Sequence, residues 1–226
     1  MKKEKVSIAL PTGVLLPGAL KILGRSGVAR LSAAELGRQL LVDRPAIRVI
    51  LVRPADVPAY VDHGAADLGI VGKDVLWESP GGHYELVDLR FGDCRLVLAV
   101  PASSNLGGPK TWPPILRVAT KYPRTAASWF EAHGQSVEIV RLHGSVELAP
   151  QVGLVDGIVD LTASGRTLRE NKLRVAAILG TSTARLIANQ ASLKTRTASV
   201  QSLVGRLRAA ADPPASRGKA VSSVAR

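Results

Sequence analysis

Cysteine is nearly missing from this chain. Cys94 is the one thiol in 226 residues, so neither an internal disulfide framework nor a cysteine-based zinc site can be built. Aromatic residues are scarce as well: three Trp, three Tyr and two Phe leave little for stacking nucleic-acid bases. Acidic residues are outnumbered, 18 against 30 Lys and Arg. No apolar run approaches the ~18 residues that a membrane span needs. The four histidines, His63, His83, His133 and His143, are scattered without the close spacing of a metal-ligand pair. Neither a G-x-S-x-G elbow nor a Walker lysine loop occurs.

What remains is the composition of a folded protein. With 46% apolar and 21% charged residues the chain can bury a sizeable core, as one large domain or two small lobes. The formal charge of +12 points to anionic partners such as phosphorylated metabolites, anionic lipid or nucleic acid. Lys2, Lys3 and Lys5 ahead of Val6–Leu10 have some likeness to an export signal. Glu4 breaks the basic part and Pro11 cuts the apolar part short, so this segment is expected to be a first buried strand of a cytoplasmic protein.

Short apolar runs alternate with longer mixed stretches. Val6–Leu10, Ile47–Val52, Leu68–Val71, Leu96–Val100, Arg117–Thr120, Val137–Leu142 and Ile158–Leu161 read as buried strands. Pro17–Leu23, Ala33–Leu41, Pro54–His63, Tyr122–His133 and Val146–Val152 read as helices, and 193–211 as a closing amphipathic helix. Alternation of this kind predicts an α/β fold with a mostly parallel sheet. Residues 212–226, with two prolines and no apolar period, are expected to be a disordered tail.

Four segments can carry chemistry. Asp156–Leu168 places a buried strand before Thr162-Ala163-Ser164-Gly165-Arg166-Thr167. Such a loop can aim hydroxyls and backbone N–H groups at a phosphate, with Arg166 adding charge; it is equally the pattern of an ordinary strand–turn–helix corner. Asp156 and Asp160 can accept from sugar hydroxyls or hold hydrated Mg²⁺. Gly69 and Gly72 bracket a strand whose end would let a ligand approach at Gly72. His143-Gly144-Ser145-Val146-Glu147 follows a strand, where Gly144 and Ser145 can face an anion and Glu147 can stabilise a first helical turn. Lys121 and Tyr122 close another strand with one cation and one ring. Cys94 is expected to be buried rather than nucleophilic.

Taken in order, Val52–Pro58, Ala66–Leu76, Phe91–Leu96, Ala119–Pro123, His143–Pro150 and Asp156–Leu168 resemble the short form of the ATP phosphoribosyltransferase family, over about Val6 to Leu207. The resemblance implies the first step of histidine biosynthesis: N1 of the adenine of ATP attacks phosphoribosyl pyrophosphate, giving phosphoribosyl-ATP and pyrophosphate, with Mg²⁺ held through the substrate pyrophosphate. It implies that Thr162, Ala163, Ser164, Gly165, Arg166 and Thr167 hold the donor's 5′-phosphate and that Asp156 and Asp160 face its ribose. Gly144, Ser145 and Glu147 would line the neighbouring wall, with Glu147 and Asp160 as positioning carboxylates and no covalent nucleophile. Arg95, Lys121 and Tyr122 would serve ATP or pyrophosphate, and Gly72 the substrate. Thr12-Gly13-Val14-Leu15 stands where the family usually has Lys-Gly-Arg-Leu, so two cations are missing there.

The implied fold has two lobes like a type II periplasmic binding protein, with the active site in the cleft between them. Lobe I would use 1–90 with 177–211, and lobe II 91–176. No C-terminal regulatory domain is expected. The implied partner is a regulatory subunit resembling a histidyl-tRNA synthetase, in a hetero-octamer, with no nucleic acid and no membrane. The competing reading is a two-lobed small-anion binding protein or effector-binding domain without catalysis.

Overall fold

The computed structural model describes residues 5–212; apart from Asp212, the tail expected over 212–226 lies outside them. Eleven strands among the described residues form two sheets. In chain order the elements are β1 (Val6–Pro11), α1 (Leu16–Arg25), α2 (Ala33–Leu36), β2 (Leu41–Asp43), β3 (Ile47–Val52), α3 (Val57–Asp62), β4 (Leu68–Gly72), α4 (Lys73–Glu78) and β5 (Tyr84–Asp88). Then follow β6 (Cys94–Pro101), β7 (Ile115–Thr120), α5 (Pro123–Ala132), β8 (Ser136–Arg141), β9 (Gly157–Thr162), α6 (Arg166–Glu170) and β10 (Leu173–Ser182). The chain closes with β11 (Ala184–Ala188), α7 (Gln190–Thr195) and α8 (Thr197–Ala211).

The first sheet has the order β2-β3-β1-β4-β11-β5 and the second β10-β6-β9-β7-β8. The expectation of a mostly parallel arrangement needs correcting. Only β1–β3, β1–β4, β7–β8 and β7–β9 are parallel, and the other pairings are antiparallel. The difference comes partly from β6, a strongly apolar strand that nonetheless lies antiparallel to β9, and partly from strands with weak apolar signals. In β10 the burial pattern is broken by two register irregularities, and β2 and β5 are partly exposed edge strands. The helix expected over Ala33–Leu41 stops at Leu36, where Gly37 turns with φ 51°. That expected over Val146–Val152 shrinks to a 3-10 turn, Val146–Leu148. The closing helix is broken at Arg196 into α7 and α8.

Each sheet has its own core. Ile8, Leu10, Leu23, Ile47, Leu68 and Ile70 are fully buried in the first, with Val200, Leu203 and Leu207 of α8 packed on them. Leu96, Leu98, Leu116 and Phe130 fill one face of the second sheet, and Val97, Ile158, Val146 and Leu168 the other. Burial of these side chains is the main favourable term holding each lobe. At the edge of the first core Asp67 accepts from Ser7 N and Oγ, Ser192 Oγ and Arg196 Nη1. Burial alone would raise this carboxyl, but those bonds and the Arg196 charge outweigh it and hold the group below its ordinary range.

The chain passes between the sheets twice, side by side. Ser182 pairs with Cys94 at the end of β10, while Arg185 pairs with Asp88 just beyond. Leu89 N donates to Ala184 O and Ala184 N to Phe91 O. The division expected between 176 and 177 therefore falls inside β10; the strand stays in the second sheet to Ser182, and the first sheet is re-entered at Ala184.

Candidate active site

The parallel strands of both sheets end toward the junction, where open α/β sheets bind ligands. At the end of β9 lies a cavity of about 250 Å³, lined by Glu147, Asp160 and the continuous run Leu161–Leu168. The loop is shaped from within. Thr162 Oγ1 accepts from Gly165 N at 2.9 Å, and Gly165 adopts φ 72°, a left-handed conformation that glycine takes without steric cost. Arg169 Nη1 donates to Ser164 O at 3.1 Å, fixing the loop against α6. Thr162 is buried, whereas Ala163, Ser164, Arg166 and Thr167 are exposed to an incoming ligand. Arg166 Nε rests on Glu170 Oε1 at 2.8 Å, an exposed i, i+4 pair. Such pairs contribute only about 0.3–0.5 kcal/mol, so the guanidinium can be drawn to a phosphate at small cost.

Asp160 is the best-protected carboxylate of the site. Its Oδ1 lies 3.5 Å from Lys121 Nζ and accepts from Leu161 N at 2.9 Å. Burial pushes the carboxyl above its ordinary range; Lys121 and the backbone bond pull it down, and the Glu147 charge pushes it up again. Two carboxylates at one cavity can share sugar hydroxyls or a hydrated cation.

The remaining sequence candidates divide. Arg95 does not line the cavity but is close to it: it pairs with Thr162 in the antiparallel β6–β9 register, so both side chains stand on one face of the sheet. Tyr122 is also close. It is half-buried against the core of the second sheet, and its phenol is pushed up first by burial, then by the charges of Asp74 of α4 and Asp160 of β9. Gly144 and Ser145 are exposed and do not line the cavity; Ser145 holds a left-handed φ of 47°. Asp156 is taken away from the site. It precedes β9, at the opposite end of the strand from Asp160, where its Oδ2 accepts from Arg117 N at 2.8 Å and Oδ1 lies 3.8 Å from Arg117 Nη2. At Gly72 the space that a Cβ would take is filled by Asp74, whose Oδ1 would lie 2.2 Å from it.

Several residues at the junction carried no sequence signal of their own. Asp74, 9% exposed, exchanges hydrogen bonds with Ser182: Ser182 Oγ donates to Asp74 Oδ1 at 2.7 Å and accepts from Asp74 N at 3.0 Å. The partners are 108 residues apart, a spacing no local pattern can show. Cys94, expected from the sequence to be buried, also lies here and is half-buried; burial with the nearby Asp74 charge pushes its thiol up, which disfavours a nucleophilic thiolate.

The segment Thr12–Leu15 lies at the same junction. Gly13–Leu15 form a 3-10 turn after β1, Leu15 packs against Gly92, and Val14 is 94% exposed.

Among the described residues no group of three or more His, Cys, Asp or Glu is placed to hold a metal ion, and no helix is long and apolar enough to cross a membrane. Two other concavities among the described residues lack carboxylates. One of about 470 Å³ is lined by Trp77, Arg124, Thr125, Ser128, Trp129 and Leu179, and one of about 290 Å³ lies beside α8 with Lys5 and Arg206.

Comparison with known proteins converges on one description. A family profile described as ATP phosphoribosyltransferase matches residues 53–209. The ATP phosphoribosyltransferase of Rubrobacter xylanophilus is 48% identical over 199 residues, covering 87% of this chain and 92% of that protein. That of Moorella thermoacetica is 47% identical over 217 residues, covering 93% and 95%. Among solved structures, the ATP phosphoribosyl transferase (HisG:HisZ) complex from Thermotoga maritima contains a chain 34% identical with a TM-score of 0.76, covering 91% of this chain and 98% of that one. The alkanesulfonate-binding protein SsuA from Xanthomonas axonopodis pv. citri, at 15% identity and a TM-score of 0.56 over 93% and 74% of the two chains, shares the two-lobed fold alone.

Proposed function

Because the chain belongs to the ATP phosphoribosyltransferase family, we propose that the cavity at the end of β9 cradles the 5′-phosphate and ribose of phosphoribosyl pyrophosphate while ATP is brought up from across the lobe junction. The chain is a pentosyltransferase of the first step of histidine biosynthesis. The observation that carries the site assignment is the single concavity uniting Glu147, Asp160 and the loop 162–167.

In the reaction N1 of adenine attacks the anomeric carbon, the bond to the pyrophosphate oxygen breaks, and its electron pair leaves with pyrophosphate. The transition state has oxocarbenium character, with negative charge growing on the leaving group. Catalysis is then alignment of two anionic substrates and stabilisation of that charge. Thr162 Oγ1 keeps Gly165 turned so that the loop's exposed hydroxyls and N–H groups face the phosphate. Asp160 and Glu147 accept from the ribose hydroxyls and hold the ring in register. Arg95 supplies positive charge beside the departing pyrophosphate, Lys121 supplies it to the phosphates of ATP, and Tyr122 offers a face to the purine.

Mg²⁺ fits this donor set. A site with two carboxylates and no third protein ligand suits an ion that keeps several waters and is held chiefly by substrate phosphates. When bound, it would neutralise charge on the leaving pyrophosphate, with Glu147 and Asp160 reaching it through water.

The same reading assigns the protein to the cytoplasm, lobe I to 1–90 and the return from Ala184 to 211, and lobe II to the sheet between. It also assigns it a regulatory subunit resembling a histidyl-tRNA synthetase, in a hetero-octamer; the HisG:HisZ complex from Thermotoga maritima supports such a partner. The test is to mix the chain, that subunit, ATP, phosphoribosyl pyrophosphate and Mg²⁺ and follow the adduct's ultraviolet absorbance. Adduct formation that requires all substrates is expected; no product with or without the subunit would refute the reading.

A further inference from the structure

Helix α4 belongs by sequence to the first sheet, since it leaves β4 directly, yet both of its ends are bonded to the second lobe. At its start Asp74 exchanges hydrogen bonds with Ser182 of β10. In its last turn the Trp77 ring covers Gly180 so closely that a Cβ there would lie 2.8 Å from it. At its end Glu78 reaches α5: Oε1 accepts from Thr125 N at 2.7 Å and Thr125 Oγ1 at 2.5 Å, and Oε2 accepts from Arg124 N at 3.1 Å.

Those two amides are the free donors of the first turn of α5, which a helix ordinarily satisfies with its own N-cap side chain. Here the N-cap is Tyr122, and its side chain makes no capping bond. The cap comes instead from a carboxylate 46 residues earlier in the other lobe, with the charge sign that a helix N-terminus favours. Immediately before α5 stand Lys121, paired with Asp160, and Tyr122, whose surroundings include Glu78 itself. Moving the first turn of α5 therefore moves the Lys121–Tyr122 corner.

We propose that Glu78 is a positioning residue that sets the Lys121–Tyr122 corner of the cleft by capping α5 from the opposite lobe. The proposal rests on the function given above and deepens it, because that corner serves the nucleotide side while the 162–167 loop serves the ribosyl donor. Glu78 does not touch the donor loop, so its effect separates the two substrates.

The test compares steady-state kinetics of the full chain with its regulatory subunit, wild type against Glu78→Ala, Glu78→Gln and Thr125→Val. Glu78→Ala is expected to raise KM for ATP about tenfold while KM for phosphoribosyl pyrophosphate stays within about twofold. Glu78→Gln, which keeps an oxygen for Thr125, is expected to recover most of that loss. Thr125→Val, which removes one of the three bonds and leaves α5 otherwise intact, is expected to shift the ATP value in the same direction and less far; it decides the matter if Glu78→Ala fails to fold. An ATP KM within about twofold of wild type in Thr125→Val and in every Glu78 variant that folds, or equal shifts for both substrates, overturns the proposal. Wild-type protein that forms no adduct overturns the function itself; active wild type with unaltered variants overturns only the role of Glu78.

Discussion

Lys121 Nζ stands 3.5 Å from Asp160 Oδ1, so the cation that ends β7 is held against the carboxylate near the end of β9. The two strands are parallel neighbours, and their C-terminal ends bring opposite charges together beside the cavity that Asp160 lines. This pair governs how the site responds to pH.

Asp160 is raised above the ordinary carboxylate range by burial, with Lys121 opposing and Glu147 adding to the shift. A carboxyl raised on folding favours the folded state at low pH, and that contribution is lost as pH rises through the raised value. Function needs the charged form, so activity should fall on the acid side at a pH above the ~3.9 of a free Asp. In a ¹³C NMR titration, Glu147→Gln is expected to lower the Asp160 midpoint and Lys121→Met to raise it. Midpoints that do not move would show that these neighbours do not set the charge of Asp160.

Asp156 and Asp160 should separate cleanly. Asp156→Ala removes the acceptor for Arg117 N and should cost about 1 kcal/mol in denaturant unfolding while leaving kcat/KM within about twofold of wild type. Asp160→Asn keeps the shape and removes the charge, and kcat/KM should fall at least about tenfold. A larger kinetic loss at Asp156 than at Asp160 would mean that the site lies at the other end of β9.

The donor loop offers a graded series. Thr162→Val deletes the hydroxyl that turns Gly165, and Thr167→Ala and Arg166→Ala remove groups exposed to the ligand. Each should chiefly raise KM for phosphoribosyl pyrophosphate, by about three- to thirtyfold, since a phosphate remote from the reacting carbon is bound alike in ground and transition states. Steady-state constants unchanged in all three would remove the phosphate from this loop.

Val14 is 94% exposed on the turn that follows β1, so an arginine can be placed there without steric cost. The double substitution Thr12→Lys and Val14→Arg restores the charges usual in the family, and KM for ATP is expected to fall about threefold or more at low ionic strength, with the gain shrinking in salt. A KM indifferent to salt and substitution would show that this turn does not face the nucleotide.

Much of this was legible in the chain itself. The runs around Ile8, Val49, Ile70, Leu98, Val118 and Ile158 are apolar because strands buried on both faces must be, and each is a strand in the structure. The loop 162–167 and Asp160 were legible because their chemistry is contiguous in sequence. Of the antiparallel strands, β6 was legible, whereas β2, β5, β10 and β11 were less visible. β10 carries exposed Val175 and Ile178 along with its bulges, so its apolar residues do not follow a strand's period of two.

Local sequence determined which segments became strands and which loop could meet a phosphate, because side-chain polarity and glycine's backbone freedom act over a few residues. The tertiary structure alone decided that Asp156 would tie down a strand start while Asp160 faced the cavity. It also decided that Gly72 would make room for Asp74, and that Glu78 would cap a helix 46 residues away. Those outcomes depend on which groups approach within hydrogen-bonding distance after two lobes have packed, and such distances are set by the whole chain.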